Sequence, residues 1–222
     1  MPLSRDEVLE GALRLLDEVG LDGLTMRKLA QSLDVQAGAI YWHFANKQDL
    51  IDAMVDRQLG AVLATPVVGR WDRQLAEICR RLATALTATR DGARLATSAL
   101  TPGRNGMLVS EAMLRAARAS GLSGEESLWA SAALGYYVLG YVTDVQVTEA
   151  AKARGLTATL TAFRRQVDKQ TFPELTKLSA GRRIQQFISG KSFRERFEFG
   201  LELLLDGMRA QRRRSLRQSR RR

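Results

Sequence analysis

Apolar residues recur at helical spacing along almost the whole of this 222-residue chain, and no stretch alternates apolar with polar over the length of a strand. Trp71, Leu75, Ile78, Leu82 and Leu86 advance by four, three, four and four positions, so all five fall on one helix face. Phe193, Phe197, Leu201, Leu204 and Met208 repeat the pattern near the end. The four prolines, Pro2, Pro66, Pro102 and Pro173, lie outside the periodic segments or at their ends, where a helix tolerates the missing N–H. A period near 3.6 without a period of two predicts an all-α fold.

Caps and glycines divide the chain. Ser4/Glu7, Ser123/Glu126 and Ser192/Glu195 form three Ser-x-x-Glu capping boxes, and Asn46 with Asp49 is a weaker version. Helices are predicted over 5–19 (closed by Gly20), from after Thr25 to 33, over 37–43, and from after Asn46 to Leu63. Longer ones follow from Trp71, over 105–119 and over 124–148. Further helices are expected near 158–170 and 174–188, before the one that carries the Phe193–Met208 stripe. Three regions result: a helix-turn-helix domain with its connecting helix over 1–63, a helical bundle over 64–208, and a basic disordered tail over 209–222. Pro66–Gly69 reads as the linker between the first two.

Cys79 is the only cysteine, so no internal disulfide can form, and a reducing, cytoplasmic setting is expected. Nothing at the N-terminus resembles an export signal. The longest uncharged run, Ser127–Thr143, spans 17 residues and contains polar side chains, so it reads as a buried helix and no membrane partner is expected. The net charge of +10 suggests nucleic acid, but its distribution does not locate a site. Residues 209–222 carry eight arginines and no acid, whereas residues 1–48 carry five basic and seven acidic side chains. With one histidine, one cysteine and no carboxylates clustered at ligand spacing, neither enzyme chemistry nor a metal site or cofactor is expected.

The helices near 26–33 and 37–43, joined at Asp34-Val35-Gln36, suggest a helix-turn-helix whose second helix enters the DNA major groove. Many helical proteins contain such a pair, so the pattern leaves a helical interaction or ligand-binding module without DNA binding as an alternative. Ile40 and Phe44, four apart, should face the core of this domain.

The stretch GLDGLTMRKLAQSLDVQAGAIYWHFANKQDLIDAM closely resembles the DNA-binding headpiece of the TetR family of bacterial transcriptional repressors. Gly23-Leu24-Thr25, Arg27-Lys28-Leu29-Ala30, Val35, Tyr41-Trp42-His43-Phe44 and Asn46-Lys47 carry the match, in order and in register. Weaker similarity to tetracycline-binding members continues through Arg90-Asp91-Gly92-Ala93, Gly135–Gly140 and Phe199-Gly200-Leu201-Glu202. The resemblance implies an all-α homodimer, each subunit a headpiece on a ligand-binding bundle, bound to a palindromic double-stranded DNA operator and released by a small-molecule effector.

It also implies roles. Thr25, at a helix N-terminus, suits a phosphate, and Arg27 can reach a guanine edge. Tyr41 and His43 would face the DNA backbone, Lys47 would add a phosphate contact, and Trp42 would straddle core edge and DNA. Ala37 and Ala39 stand where tetracycline-binding members carry polar base readers. Base reading therefore leans on Arg27, Gln36, contacts to thymine methyls and DNA shape. The drug-gripping polar positions of those members align with Leu63, Ile78 and Ala96, and the metal-binding histidine has no counterpart. No tetracycline–magnesium binding is expected. A more apolar pocket would draw on Leu63, Ile78, Met107, Met113, Trp129, Tyr136, Tyr137 and Tyr141, with Asp144 as an acidic candidate. The three tyrosines suit helix packing or a dimer interface at least as well.

Overall fold

A computed structural model describes residues 3–153, 155, 165–179 and 190–219, and every regular element among them is an α-helix. The first four helices build the headpiece: α1 (Arg5–Gly23), α2 (Met26–Ser32), α3 (Ala37–Tyr41) and α4 (Lys47–Leu59). Their starts are local chemistry. Ser4 Oγ accepts the Glu7 amide at 3.2 Å while Glu7 Oε2 accepts the Ser4 amide at 2.7 Å. Thr25 Oγ1 accepts from Lys28 N at 3.2 Å, and Asn46 Oδ1 from Asp49 N at 2.9 Å. Helical geometry breaks at Gly20, whose φ of 73° strains any side chain, as expected of the closing glycine. The α2–α3 turn places Asp34 at φ 53°, left-handed as its position requires. Leu16, Leu24, Leu29, Ile40, Phe44, Leu50 and Met54 are buried at the centre, so Ile40 and Phe44 do anchor α3.

The bundle holds α5 (Trp71–Thr87), α6 (Gly92–Ser98), α7 (Arg104–Ala119), α8 (Gly124–Ala153), α9 (Pro173–Ser179) and α10 (Gly190–Ser219). All five residues of the Trp71–Leu86 stripe are buried, against α7 and α8. From α10, Phe197, Leu201, Leu205 and Met208 pack into the same core and Leu204 lies partly buried against it, while Phe193 is buried beneath Lys152 and Arg196. No helix among the described residues is long and apolar enough to cross a membrane.

Several boundaries differ from the sequence reading. Helix α4 ends at Leu59, short of Leu63, because residues 60–64 close into turns. Helix α6 was not anticipated, and it blurs the division at residue 63. Leu95 from α6 is fully buried in the headpiece core, while Val62 belongs to the bundle core. Helix α10 begins at Gly190, ahead of Ser192, so that serine is not its first cap. The helix expected over 158–170 falls largely outside the described residues. That over 174–188 is seen as α9 up to Ser179, and the remainder lies outside them.

The tail expected to be disordered from residue 209 continues α10 as far as Ser219. The reason is visible at its start. Arg209 donates to Asp72 Oδ2 at 2.7 Å and to Asp206 at 2.6 Å, tying the helix to the head of α5. Asp72 is only 2% exposed. Hydrogen bonds from Arg70, from Arg209 and from the Arg73 amide outweigh its burial and hold its carboxyl well below the usual carboxylate range. A charged, fully partnered Asp72 thus joins both ends of the bundle's sequence.

Candidate functional site

Two sites emerge, a polar surface on the headpiece and a groove in the bundle, linked by a joint. On the surface, Thr25, Arg27, Lys28, Gln36, Ala37, Tyr41 and Trp42 are exposed and Ala39 partly so. Thr25 accepts the Lys28 amide, which leaves its own O–H to donate to an anion. Arg27 has no side-chain partner among the described residues, so its guanidinium is free for a bidentate contact. Lys28, beside Thr25 in the first turn of α2, is a further exposed cation that the sequence reading passed over.

Trp42 is 89% exposed and does not straddle the core. Helix α3 ends at Tyr41, and Ile40 with Phe44 already fill the inward positions. Its ring is a fully presented apolar surface next to the recognition helix. His43 is half-buried, with Nε2 at 2.8 Å from the Leu3 carbonyl. A carbonyl only accepts, so this nitrogen donates, and His43 pins the chain ahead of α1 to α3. Arg5, the first residue of α1, lies 4.6 Å over the Phe44 ring. Lys47 Nζ lies 3.5 Å from the Leu21 carbonyl, beside the end of α1.

The joint is built from residues near 90–106. Arg90 Nη1 donates to the Asp17 and Glu18 carbonyls at 3.1 and 2.7 Å, capping α1. Asp91 Oδ2 accepts the Leu21 amide at 2.8 Å, and Arg94 pairs with Asp22 at 2.7 Å. From the other side, α4 sends one carboxylate to the strap between α6 and α7 and a second to the first turn of α7. Asp52 accepts the amides of Leu100 and Thr101 at 3.0 and 3.1 Å. Asp56 accepts the Gly106 amide at 3.0 Å. Burial works to raise the Asp52 pKa, but those amides and the Gln48 side chain outweigh it and hold the group low.

The same strap walls a groove of about 700 Å³ between α4, α6, α7 and α8, within the range of small-molecule sites. Its lining is mainly apolar, with Leu59, Leu100, Met107, Met113 and Leu128 prominent. Of the residues proposed from sequence, the groove therefore takes Met107 and Met113, together with Ala96. It does not take the others. Ile78 is buried in the bundle core and Leu63 packs against that core. The Tyr137 hydroxyl donates to the Phe197 carbonyl at 2.9 Å, and its ring and that of Tyr141 lie 5.5 and 4.5 Å from the Phe197 ring. Those two tyrosines thus hold α10, and burial raises both phenol pKa values. Asp144 pairs with Arg196 at 3.3 Å. Trp129 and Tyr136 are exposed on the outer face of α8, away from the groove.

The family model for bacterial regulatory proteins of the tetR family matches residues 8–54, and that for the tetracyclin repressor-like C-terminal domain matches residues 65–212. The chain belongs to the TetR family. The class D tetracycline repressor of Escherichia coli is similar at 31% identity over 212 residues, 94% of this chain and 90% of that protein. A Streptomyces coelicolor TetR family protein, ActR, solved in complex with actinorhodin, superposes with a TM-score of 0.77 at 31% identity, over 93% of this chain and 95% of that one. BioQ, solved with its double-stranded DNA operator, superposes with a TM-score of 0.67 at 32% identity, over 94% and 99%. A TetR family headpiece joined to a bundle with an apolar groove is the architecture of a ligand-responsive, DNA-binding transcriptional repressor.

Proposed function

We propose that this TetR family chain works as a homodimer in which two headpieces read the halves of a palindromic operator, and a largely apolar molecule in the bundle groove releases them. Thr25, Arg27, Gln36, Ala37, Ala39, Tyr41, Trp42 and Lys47 form the DNA surface; His43 serves it by holding α3 in place. Trp129, Tyr136, Gly140, Thr143 and Val147 follow one another at seven, four, three and four positions along α8. This stripe, with exposed Phe199 and Leu203 on α10, supplies the apolar face that a second copy would cover.

One observation carries the regulatory half. The strap Leu100–Gly103 and the first turn of α7 are at once a wall of the groove and the hydrogen-bond partners of α4, through Asp52 and Asp56 respectively. A ligand that displaces the strap must move α4, and with it the spacing of the two recognition helices. Release then follows as a population shift, provided that the ligand favours the displaced arrangement by a few kcal/mol.

Arg27→Ala tests the DNA half. Its loss should cost about 1–3 kcal/mol of operator affinity and relax selectivity at a single base pair. Fluorescence-anisotropy titration on the operator and its single-base variants reads both. Unchanged affinity and selectivity would remove Arg27 from the interface.

A further inference from the structure

The groove's charge runs against that of the chain. Basic side chains outnumber acidic ones by 34 to 24 overall, yet Asp52, Asp56 and Glu111 line the groove and no Lys, Arg or His does among the described residues. Asp52 is occupied with strap amides and Asp56 with the Gly106 amide of α7, but both remain acceptors and add no positive charge. Glu111 differs from them. It sits on the groove face of α7 with Met107 four residues before it and Leu114 three after, and it has no hydrogen-bond or ion-pair partner among the described residues. The nearby hydroxyls do not serve it, since Ser110 donates to the Gly106 carbonyl at 2.9 Å and Ser131 to the Ser127 carbonyl at 2.8 Å.

Building on the groove assignment above, we infer that the effector is a bulky apolar molecule bearing a positive charge, seated with its cation toward Glu111. The apolar walls take up the body of the ligand. The exposed, unpartnered carboxylate gains a counter-charge once the bound ligand displaces water from beside it, and opposite charges attract more strongly there than in bulk water. An organic anion of the same shape meets three carboxylates and no compensating cation.

Tetraphenylphosphonium and tetraphenylborate have nearly the same shape and opposite charge, so they isolate this effect. Isothermal titration of the full chain should show the phosphonium binding at least about tenfold more tightly than the borate at low salt. Glu111→Gln should shrink that ratio at least about threefold. A Cβ at Gly135 has open space within 4 Å, so Gly135→Phe can fill the groove without a backbone clash and should remove the binding. If the borate binds equally well or better, and Gly135→Phe still blocks it, the charge assignment falls while the groove stands. If neither ion binds, or if Gly135→Phe leaves phosphonium binding intact, the inference falls together with the groove assignment.

Discussion

Gly92→Ala is expected to cost at least about 3 kcal/mol of folding stability and to abolish operator binding, although residue 92 is remote from the DNA surface. A Cβ at this position would lie 1.9 Å from the Leu86 carbonyl oxygen and 2.9 Å from its carbon. Both are backbone atoms, so no rotamer change relieves the clash, and α6 must move away from the end of α5. That motion would withdraw Leu95 from the headpiece core, where it is fully buried. It would also strain the bonds from Arg90 and Asp91 to the end of α1. Urea denaturation monitored by circular dichroism measures the loss. Gly38→Ala is the control, since a Cβ there meets nothing within 4 Å and should be neutral or stabilising by about 0.5–1 kcal/mol. A Gly92→Ala protein as stable as its parent would mean that α6 is not the rigid joint described above.

Gly103→Ala is expected to break communication between groove and DNA. A Cβ on Gly103 would stand 2.3 Å from Asp56 Cγ, forcing the Asp56 carboxylate out of its place against the start of α7. The new methyl displaces a side chain rather than backbone, so the fold survives and the Asp56 bond to the Gly106 amide does not. The quantity to measure is the ratio of a ligand's affinities for free and operator-bound protein. That ratio is the coupling itself, and it does not depend on how tightly the ligand binds. For a coupled pair of sites it should lie at roughly 5–150-fold in the parent, and it should fall to within about threefold of unity in the variant. An unchanged ratio would show that the signal bypasses the strap.

Local chemistry made much of the headpiece legible from sequence. The caps at Ser4, Thr25 and Asn46 act within three residues, the turn needs one left-handed position at Asp34, and Ile40 and Phe44 are neighbours on one helix face. Features resting on distant pairs were not legible. His43 binds a carbonyl 40 positions away, Arg209 an acid 137 away, and Leu95 a core built by the other region. The tyrosines of α8 misled for another reason. That helix is apolar around most of its circumference, so spacing alone did not reveal that Tyr137 and Tyr141 face α10 while Tyr136 faces outward. Two of the groove acids, Asp52 and Asp56, were missed because they lie on the connecting helix of the headpiece, outside the region read as ligand-binding; Glu111 lies inside that region, but nothing in its spacing showed that it faces the groove.

Selection from randomised duplexes, followed by sedimentation and anisotropy titration of the full chain on the selected DNA at fixed salt, tests the central claim most directly. The selected sites should be palindromes with half-site centres one helical turn, about 34–36 Å, apart. Two protomers should bind per duplex, at least about a thousandfold more tightly than they bind scrambled DNA. Enrichment of no palindrome, or a preference over scrambled DNA below about tenfold, would contradict the assignment of this chain as an operator-binding repressor.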